Sequence, residues 1–301
     1  MTYALSLATY ATLADVRMEL GVNDPIATDD DPVAIKALRD ATARIDLELP
    51  GKTFFPRVQT RYFHSFADTD GLNLRLHEPL AELTSVTNGD GTALAGSDYT
   101  LIPRSGAPYT AVRLQANGAT AWQAATDGDP VDALSVAGVW HSTRPFSGMW
   151  YTTGETITLA SPTTASFTPS NVDGEDAFRR TPRLSEGMRL KATTNGTTEY
   201  MDIMRVESGV VYLDRGAGGT TAVAHGSAVT LYAWAVDAVI AKACVRLGSY
   251  YYKRAGHFAS VTFNPNTQMG ERLPKDLPED VVSVLAMFKG ANSPTFRILD
   301  V

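Results

Sequence analysis

The 301-residue sequence has one cysteine, no long apolar run and no excess of positive charge. The single cysteine, Cys244, excludes an intramolecular disulfide, and the apolar helical pattern around it predicts a small buried side chain. No apolar stretch approaches the roughly 20 residues that a membrane helix needs. The first residues lack the positive segment of a signal peptide, so we expect a soluble chain made in a cytoplasm.

The charge balance is acidic throughout most of the chain. The formal net charge is −7, and residues 1–151, 152–234 and 235–301 carry 18, 9 and 6 acidic residues against 11, 7 and 8 basic ones. None of these regions has the basic excess that neutralises phosphates, which argues against DNA as a bound ligand. An acidic surface is still compatible with DNA that passes without adhering.

The sequence also lacks a recognisable catalytic, phosphate-binding or metal-binding motif. Gly51-Lys52-Thr53 matches only the end of a phosphate loop, and Asp46 stands where the first glycine of that loop belongs. The DTDG sequence at 68–71 departs from a calcium loop at Leu72 and fits a hairpin turn better. No two histidines have metal-ligand spacing. We predict no catalytic residue, no cofactor and no metal, and keep a hydrolase with an unrecognised carboxylate pair as a minor alternative.

Helical signals come first in the chain. Thr12 is a predicted N-cap, and Gly21 ends that helix. In the next helix we expect Asp31 to be the cap and Pro32 to take the first helical position. Its predicted buried stripe has spacings of three and four and consists of Ile35, Leu38, Thr42, Ile45 and Leu49.

After Gly51 the apolar period changes to two, which predicts an antiparallel sheet. Leu72, Leu74 and Leu76 alternate with polar residues, Asp70-Gly71 predicts a hairpin turn before them, and Pro79 is expected to end that strand. Further strands are predicted in the sequences LTSV, DYTLIP, AVRLQA and VDALSVAGVW.

Residues 152–234 have the pattern of a separate β unit. Threonine, serine and glycine are dense there, and short strands at even spacing predict a small barrel or sandwich. Helical periodicity returns with a stripe from Val236 to Tyr251. An irregular stretch from Lys253 to Lys275 follows, and a last helix is predicted from Pro278 to Gly290.

The predicted fold class is therefore α+β. We expect a helical bundle packed with the first antiparallel sheet, formed by residues 1–151 and 235–301, and an inserted small all-β domain, a barrel or a sandwich, at 152–234.

The order of these elements resembles the head–tail connector proteins (adaptor or head-completion proteins) of tailed bacteriophages. In that family a helix ends at a glycine followed by an aromatic residue, and the strands carry PL and SVT, then Y-x-L, then V-x-G-x-W/Y. The matching residues here are Gly51 with Phe54, Pro79-Leu80, Ser85-Val86-Thr87, Tyr99 with Leu101, and Gly138 with Trp140. The likeness covers about residues 10–150 and, more loosely, 235–290.

The unit at 152–234 departs from that family, whose members are typically shorter. It is similar to a small β module of phage structural proteins, whose arginine-glycine, glycine-threonine and histidine core corresponds to Arg215-Gly216, Gly219-Thr220 and His225.

The resemblance implies a virion protein at the phage neck, made in the host bacterial cytoplasm. It implies a ring of twelve subunits that binds the portal on one face and a tail or stopper protein on the other. The genome would pass through its channel during packaging and ejection, without specific binding and with no membrane involved. Each subunit of such a ring needs two different complementary patches.

The extended, apolar C-terminal segment is the predicted partner-docking element. It would add to a neighbouring sheet or groove, and the simpler alternative is a frayed terminus. The docking residues are Phe296, Arg297, Ile298, Leu299 and Val301. The stretch 253–275 is likewise either a docking arm or a mobile connection.

A tail-associated carbohydrate- or receptor-binding protein is the second hypothesis. In that case the tryptophans would be stacking platforms, whereas the alternative interpretation places them in the core or at strand ends. They are Trp122, Trp140, Trp150 and Trp234.

Overall fold

The computed structural model describes residues 7–21, 29–142, 149–177, 179–258 and 277–290. The helices of this part of the chain are α1 Leu13–Leu20, α2 Asp31–Glu48, α3 Ala238–Phe258 and α4 Glu279–Gly290. The first group of strands is β1 Arg57–Phe63, β2 Thr69–Asp70, β3 Asn73–Thr87, β4 Tyr99–Ile102, β5 Tyr109–Leu114 and β6 Leu134–Trp140. The second group is β7 Trp150–Leu159, β8 Ser166–Phe167, β9 Arg189–Thr194, β10 Thr197–Glu207, β11 Val210–Ala217 and β12 His225–Trp234.

Helix α1 begins at the predicted cap. The Thr12 hydroxyl accepts a hydrogen bond from the Asp15 backbone N–H at 3.1 Å, and the Asp15 carboxylate accepts one from the Thr12 N–H at 2.8 Å. This reciprocal pair is a capping box, which satisfies two donors that a helix start leaves free. Gly21 ends the helix in the left-handed conformation.

Replacing Thr12 with alanine is expected to lower the free energy of unfolding by about 1 kcal/mol, because the Asp15 N–H loses its side-chain acceptor. Urea titration would measure the change. Thr12→Ser keeps the hydroxyl and is the matched control. Equal losses in the two variants would show that the methyl group, and not the cap, is responsible.

Helix α2 begins one residue earlier than predicted. Asp30 is the N-cap, without a capping hydrogen bond from its side chain, and Asp31 is already helical. The Asp31 carboxylate instead forms an ion pair with Arg17 at 3.4 Å, so this aspartate links α2 to α1 rather than capping its own helix. The predicted stripe from Ile35 to Leu49 is buried, as expected from its spacing.

The helices share one apolar cluster. Helix α3 contacts the other three, and its predicted stripe contributes buried Ile240, Ala243 and Leu247. Helix α4 adds buried Val281 and Leu285. The predicted inward faces of both helices are thus confirmed.

The expected packing of these helices against the first sheet is wrong. Among the described residues, the helical cluster contains Phe54 and Phe55, which precede β1, and Trp234 of β12, but no side chain of β1–β6. The first sheet buries its apolar face against its own strands and loops, including half-buried Trp122. The helices therefore cover one end of the second sheet.

The first sheet is antiparallel, with the order β1-β6-β3-β5-β4 and with β2 on β3. The pairing of Asp70 with Asn73 leaves a two-residue turn at Gly71-Leu72, one residue later than the predicted Asp70-Gly71, so Leu72 precedes the strand. Strand β3 does not end at Pro79. It pairs with β5 through Arg75 and again at Leu80, and it pairs with β6 on its other edge from Leu80 onward. Pro79, which has no N–H to donate, lies in the irregularity between Arg75 and Leu80.

The second sheet is also antiparallel, with the order β7-β12-β9-β10-β11-β8. Its end strands β7 and β8 contact each other. It therefore forms one curled sheet, as a partly closed barrel does, rather than two stacked sheets. Its inward side chains form a separate core, which includes Leu190, Met201 and Leu231.

The protein is thus a mixed α+β structure with two antiparallel sheets, the class that the sequence predicts. The division into 1–151 with 235–301 and 152–234 stays a prediction. Helix α3 continues to Phe258, so the predicted irregular stretch is helical at its start. Its remainder lies outside the described residues. Within the described ranges, no helix has the length and apolarity required to cross a bilayer.

Candidate functional site

The predicted docking residues Phe296, Arg297, Ile298, Leu299 and Val301 lie outside the described part of the chain. The structure does place the other residues of interest, namely the arginine-glycine core of the second sheet and the tryptophans. The arginine-glycine core, Trp150 and Trp234 lie in the second sheet, which contains two buried ion-pair networks, whereas Trp122 and Trp140 belong to the first sheet.

Glu199 of β10 is the centre of the first network. Its carboxylate accepts two hydrogen bonds from the Arg215 guanidinium, at 2.6 and 2.8 Å, in the bidentate geometry that favours arginine. The backbone N–H groups of Gly216 and Val223 also donate to it, at 3.1 and 3.0 Å. The Nε2 atom of His225 lies 3.2 Å from the same carboxylate. Glu199 and His225 are fully buried.

The remaining donors of Arg215 hold two loops. One guanidinium nitrogen donates to the Thr164 carbonyl at 2.5 Å, and another donates to the Val223 carbonyl at 2.6 Å. The other ring nitrogen of His225, Nδ1, lies 2.6 Å from the Thr194 hydroxyl oxygen. The arginine-glycine and histidine residues that the resemblance singles out are therefore brought together with Glu199, which the sequence pattern did not include.

Burial raises the pKa of Glu199, but the hydrogen bonds from Arg215, Val223 and Gly216 outweigh it, so the pKa lies below its usual value. Each carboxylate oxygen already accepts from at least two donors. The network has the chemistry of a structural clamp, because a general base needs a free lone pair aimed at a substrate.

A second buried ion pair joins Arg189 of β9 to Asp202 of β10. The guanidinium donates to both carboxylate oxygens, at 2.7 and 2.9 Å, and the two side chains are 1% and 0% exposed. Arg189 also donates to the Pro56 carbonyl at 3.2 Å, just before β1, and lies over the Phe55 ring at 4.8 Å. Asp202 accepts from the Ala8 backbone N–H at 3.1 Å.

This pair therefore connects three separate parts of the chain: the second sheet, the start of the first sheet and the segment before α1. The backbone supports the same junction, because Thr9 donates to the Gly187 carbonyl at 2.9 Å and Val58 donates to the Gly218 carbonyl at 2.7 Å. Gly219, with φ 83°, lies so close to Val58 that a Cβ would overlap the Val58 carbonyl oxygen. A glycine is needed there for both reasons.

Aromatic residues line the second sheet beside this junction. Lys191 of β9 is directly opposite both Tyr232 of β12 and Tyr200 of β10. Its ammonium group lies 4.7 Å from the Trp150 ring centroid and 5.3 Å from that of Tyr232, within cation–π range. Burial lowers the pKa of Lys191, partly offset by the charge of Glu82 on β3.

The tryptophans are mostly structural. Trp140 and Trp234 are buried, at 0% and 4% exposure, and donate their indole N–H groups to the carbonyls of Gln59 and Phe54. Trp122 and Trp150 are half-buried. The interpretation as core or strand-end aromatics is confirmed for Trp140 and Trp234. Neither ring has an exposed face on which a sugar could stack.

The structure offers no reactive group among the sequence candidates. Cys244 is buried, and burial raises its pKa to about 12, so it is not a reactive thiol. Residues Gly51-Lys52-Thr53 follow α2 rather than a strand, and Lys52 donates to the Phe288 carbonyl. Within the described ranges, no group of three or more histidine, cysteine or acidic residues is placed to hold a metal ion.

Sequence reasoning missed Arg189, Asp202 and Glu199. A faint signal existed, because Glu199 and Asp202 are acids within the apolar pattern of EYMDIMRV, where a strand would bury them. A buried acid requires a cationic partner. The identity of that partner depends on strand pairing, which a single sequence does not give.

Comparisons with known proteins leave the chain without a family. No protein-family model and no curated protein match it. One similar chain belongs to a solved structure described as the neck of an empty GTA particle, computed with C6 symmetry. It is 19% identical over 43% of this chain, with a TM-score of 0.30, and the match spans 63% of that chain's length. At this level the match is a coarse likeness to a neck protein and no more.

Proposed function

We propose that this chain is a structural virion protein of the phage neck. In the proposed assembly, twelve copies form a ring that joins the capsid portal to a tail or stopper protein and lines the DNA channel. The chain acts by holding partners in place and turns over no substrate. The four helices act as one bundle in that ring, and the second sheet is an accessory module.

The main support for this proposal is the position in the fold of the residues that match the connector family. Pro79-Leu80 and Ser85-Val86-Thr87 lie on β3, Tyr99 and Leu101 on β4, and Gly138 and Trp140 on β6, all in the first sheet. Leu80 and Trp140 are direct cross-strand neighbours and both are fully buried. The degenerate motifs thus belong to one sheet, with those of β3 and β6 on neighbouring strands, which is what a shared architecture requires.

Gly138 illustrates why such a motif residue is needed. A Cβ at this position would overlap the Glu82 backbone carbonyl oxygen and press on the Leu80 side chain. The glycine therefore allows β6 and β3 to approach at the register shift between Leu80 and Glu82. This requirement concerns the sheet and not a ligand, which supports a structural role.

The polar networks support the same conclusion. The carboxylates of Glu199 and Asp202 are buried and saturated with donors, and the pairs connect segments that are distant in sequence. Removing either member of such a pair would leave an uncompensated buried charge, so these groups fit a structural role. The net charge of −7 suits a channel wall that does not retain DNA.

Cross-linking mass spectrometry on intact particles tests the proposal. We expect cross-links from this chain to the portal and to a tail or stopper protein, and we expect them in the region 253–301, which contains the predicted docking residues. Lys253, Lys275 and Lys289 provide reactive amines there. Absence of the protein from purified particles would overturn the proposal. Cross-links restricted to tail-tip or fibre proteins would favour the receptor-binding hypothesis instead.

A further inference from the structure

The far end of β1 lies away from the helices. The strand begins just after Phe54 and Phe55, which belong to the helical cluster, and it extends roughly 20 Å at a rise of about 3.3 Å per residue. Just beyond its end, the Ser65 backbone N–H donates to the Pro130 carbonyl at 2.9 Å. The loop after β1 and the loop before β6 are therefore joined at one corner of the first sheet.

Three large apolar side chains are exposed on these joined segments. Tyr62 of β1 is 57% exposed, Phe66 in the loop after it is 66% exposed, and Val131 in the facing loop is 57% exposed. Among the phenylalanines whose side chains the structure describes, Phe66 is the only exposed one. Apolar residues that are grouped at a surface mark interaction sites, whereas single ones need no explanation. We call these three residues the apolar corner.

The outer edge of β1 is open along most of its length. Val58 uses its N–H on that edge, donating to the Gly218 carbonyl at 2.7 Å. Because the peptide groups of an antiparallel strand point alternately to either side, the N–H and C=O groups of Thr60 and Tyr62 also point away from β6. In the part of the chain that the structure describes, no strand pairs with this edge. An extended segment can therefore add to it by main-chain hydrogen bonds.

This edge lacks the features that usually prevent such pairing. Edge strands are commonly short, or carry charge or proline. The exposed side chains of β1 are those of Val58, Thr60 and Tyr62, and none is charged. Arg57 and Arg61 alternate with them and are half-buried. Strand β4, at the other end of the sheet, has four residues, and none of its side chains is exposed. Of the two end strands, β1 is therefore the better template for a partner strand.

The exposed charges next to the apolar corner are acidic. Asp127, Asp129 and Asp132 are exposed in the loop before β6. The segments 62–68 and 125–133 contain no lysine or arginine. The aspartates belong to a defined loop, because Val131 donates its N–H to the Asp129 carboxylate at 2.9 Å. The corner thus combines apolar side chains with a negative rim.

The neighbouring cations do not neutralise this rim. His64 accepts two backbone N–H groups through Nδ1, which requires a ring that is unprotonated at that atom. The other cationic side chains beside the two loops are each paired with a different acid. These pairs are Arg61 with Glu78, Arg75 with Asp70, and His77 with Asp68.

We propose that the open edge of β1 and the apolar corner together dock an extended segment of another protein, one that carries lysine or arginine among apolar residues. Main-chain hydrogen bonds would form along Thr60 and Tyr62, and apolar side chains would pack on Phe66 and Val131. The basic groups would face the aspartates, and such electrostatic complementarity gives a contact its specificity. In the neck this segment would belong to the portal or to a tail or stopper protein, and to that extent the inference rests on the proposed function.

Other occupants fit this surface less well. Nucleic acid would be repelled by the aspartates. The C-terminal segment of another copy, residues 291–301, is apolar but has one arginine that is offset by Asp300. Another copy as a whole has a net charge of −7, which gives it no general attraction to an acidic corner.

Photocross-linking in assembled particles identifies the occupant. The variant Tyr62→p-benzoylphenylalanine keeps a large aromatic side chain at the apolar corner and enters the particle during assembly. Tyr232→p-benzoylphenylalanine, at an exposed tyrosine of β12 in the second sheet, is the matched control. We expect position 62, and not position 232, to give adducts with a segment of another virion protein that has lysine or arginine next to apolar residues.

Three results would overturn the proposal: no adduct from position 62, an adduct with another copy of this chain, or an adduct with a segment that lacks basic residues. The same partner segment at positions 62 and 232 would also contradict it, because the contact would then not be specific to this corner.

A binding measurement on the purified full chain tests the charge complementarity without particles. The probes are a short blocked peptide in which lysine and valine alternate, and its counterpart with glutamine in place of lysine. We expect the lysine probe to bind at least about tenfold more tightly, and Asp129→Asn with Asp132→Asn to remove most of that difference. Asp90→Asn with Asp98→Asn provides the comparison, since these aspartates also accept backbone N–H groups in loops of the first sheet.

Equal binding of the two probes, no binding of the lysine probe, or an equal loss in the Asp90 and Asp98 variant would contradict the assignment. Selective binding by a protein that is absent from the neck would leave this inference standing and refute the proposed function. A protein that is located in the neck but binds neither probe and gives no adduct from position 62 would do the reverse.

Discussion

Replacing Asp202 with alanine is expected to lower the free energy of unfolding by about 3–5 kcal/mol, because Arg189 would keep its buried position without a counter-ion. The Ala8 backbone N–H would lose its acceptor as well. Urea titration followed by tryptophan fluorescence would measure the change, since Trp150 and Trp234 lie beside the helical cluster at this end of the second sheet.

Two further variants show whether the loss in Asp202→Ala comes from the buried ion pair. The double variant Arg189→Met with Asp202→Leu replaces the pair with apolar side chains and is expected to recover much of the loss, since it leaves no unpaired buried charge. Asp70→Ala removes a partner of the exposed pair with Arg75, at 65% and 67% exposure, and should cost no more than about 1 kcal/mol. Similar losses for Asp202→Ala and Asp70→Ala would contradict the structural role of the buried pair.

A milder substitution at Asp202 tests whether the buried pair also holds the chain segments around it in place. If Asp202→Asn is used, the side chain keeps its size and one acceptor, so the chain is expected to fold with a weakened junction. Hydrogen exchange should then increase first near Thr9 and Val58, the backbone contacts that the pair supports. Unchanged exchange at both segments would mean that Asp202 stabilises only its own sheet.

Local patterns predicted the elements of this fold because each pattern has a direct physical cause. The Thr12 cap, the stripe of α2 and the turn before β3 depend on neighbours within a few residues. The first two are present as predicted, and the turn lies one residue later than predicted. The predictions were wrong where a contact between residues distant in sequence overrode a local pattern. Pro79 lies in an irregularity of the β3–β5 ladder without ending β3, because pairing with β5 resumes at Leu80 and β6 pairs with the other edge of the strand from there.

The packing between elements was not predictable in the same way. The helical cluster includes Trp234 of β12 and the two phenylalanines between α2 and β1, Phe54 and Phe55, but no side chain of the first sheet, and no local pattern indicates these contacts. Arg189 and Asp202 meet only because β9 and β10 pair in one register. A single sequence contains both residues but not the register, so the networks had to be found in the structure.

Replacing Glu199 with glutamine is expected to destabilise the protein by about 3–5 kcal/mol at neutral pH, comparable with the loss at Asp202. The amide is similar in size, but its NH₂ group would face the donors of Arg215, Gly216 or Val223. In either orientation of the amide, its NH₂ group would face two buried N–H donors, which would then have no acceptor. Arg215 would also lose its counter-ion.

The pH dependence separates this effect from a packing defect. The pKa of Glu199 lies below its ordinary value of 4.5 in the folded protein, because the hydrogen bonds of Arg215 and of the backbone outweigh burial. A depressed carboxyl pKa contributes stability that is fully present above the unfolded pKa and is lost as the pH falls through the folded pKa. The difference in stability between the natural protein and Glu199→Gln should therefore be constant above about pH 5 and shrink below pH 4.5.

Glu207→Gln on the same strand is the matched control, because its pair with Arg205 is exposed and is expected to contribute no more than about 1 kcal/mol. In Glu199→Gln, hydrogen exchange should rise in the loops at Thr164 and Val223, whose carbonyls Arg215 holds. A loss that persists unchanged below pH 4 would show that the carboxylate charge is not the cause.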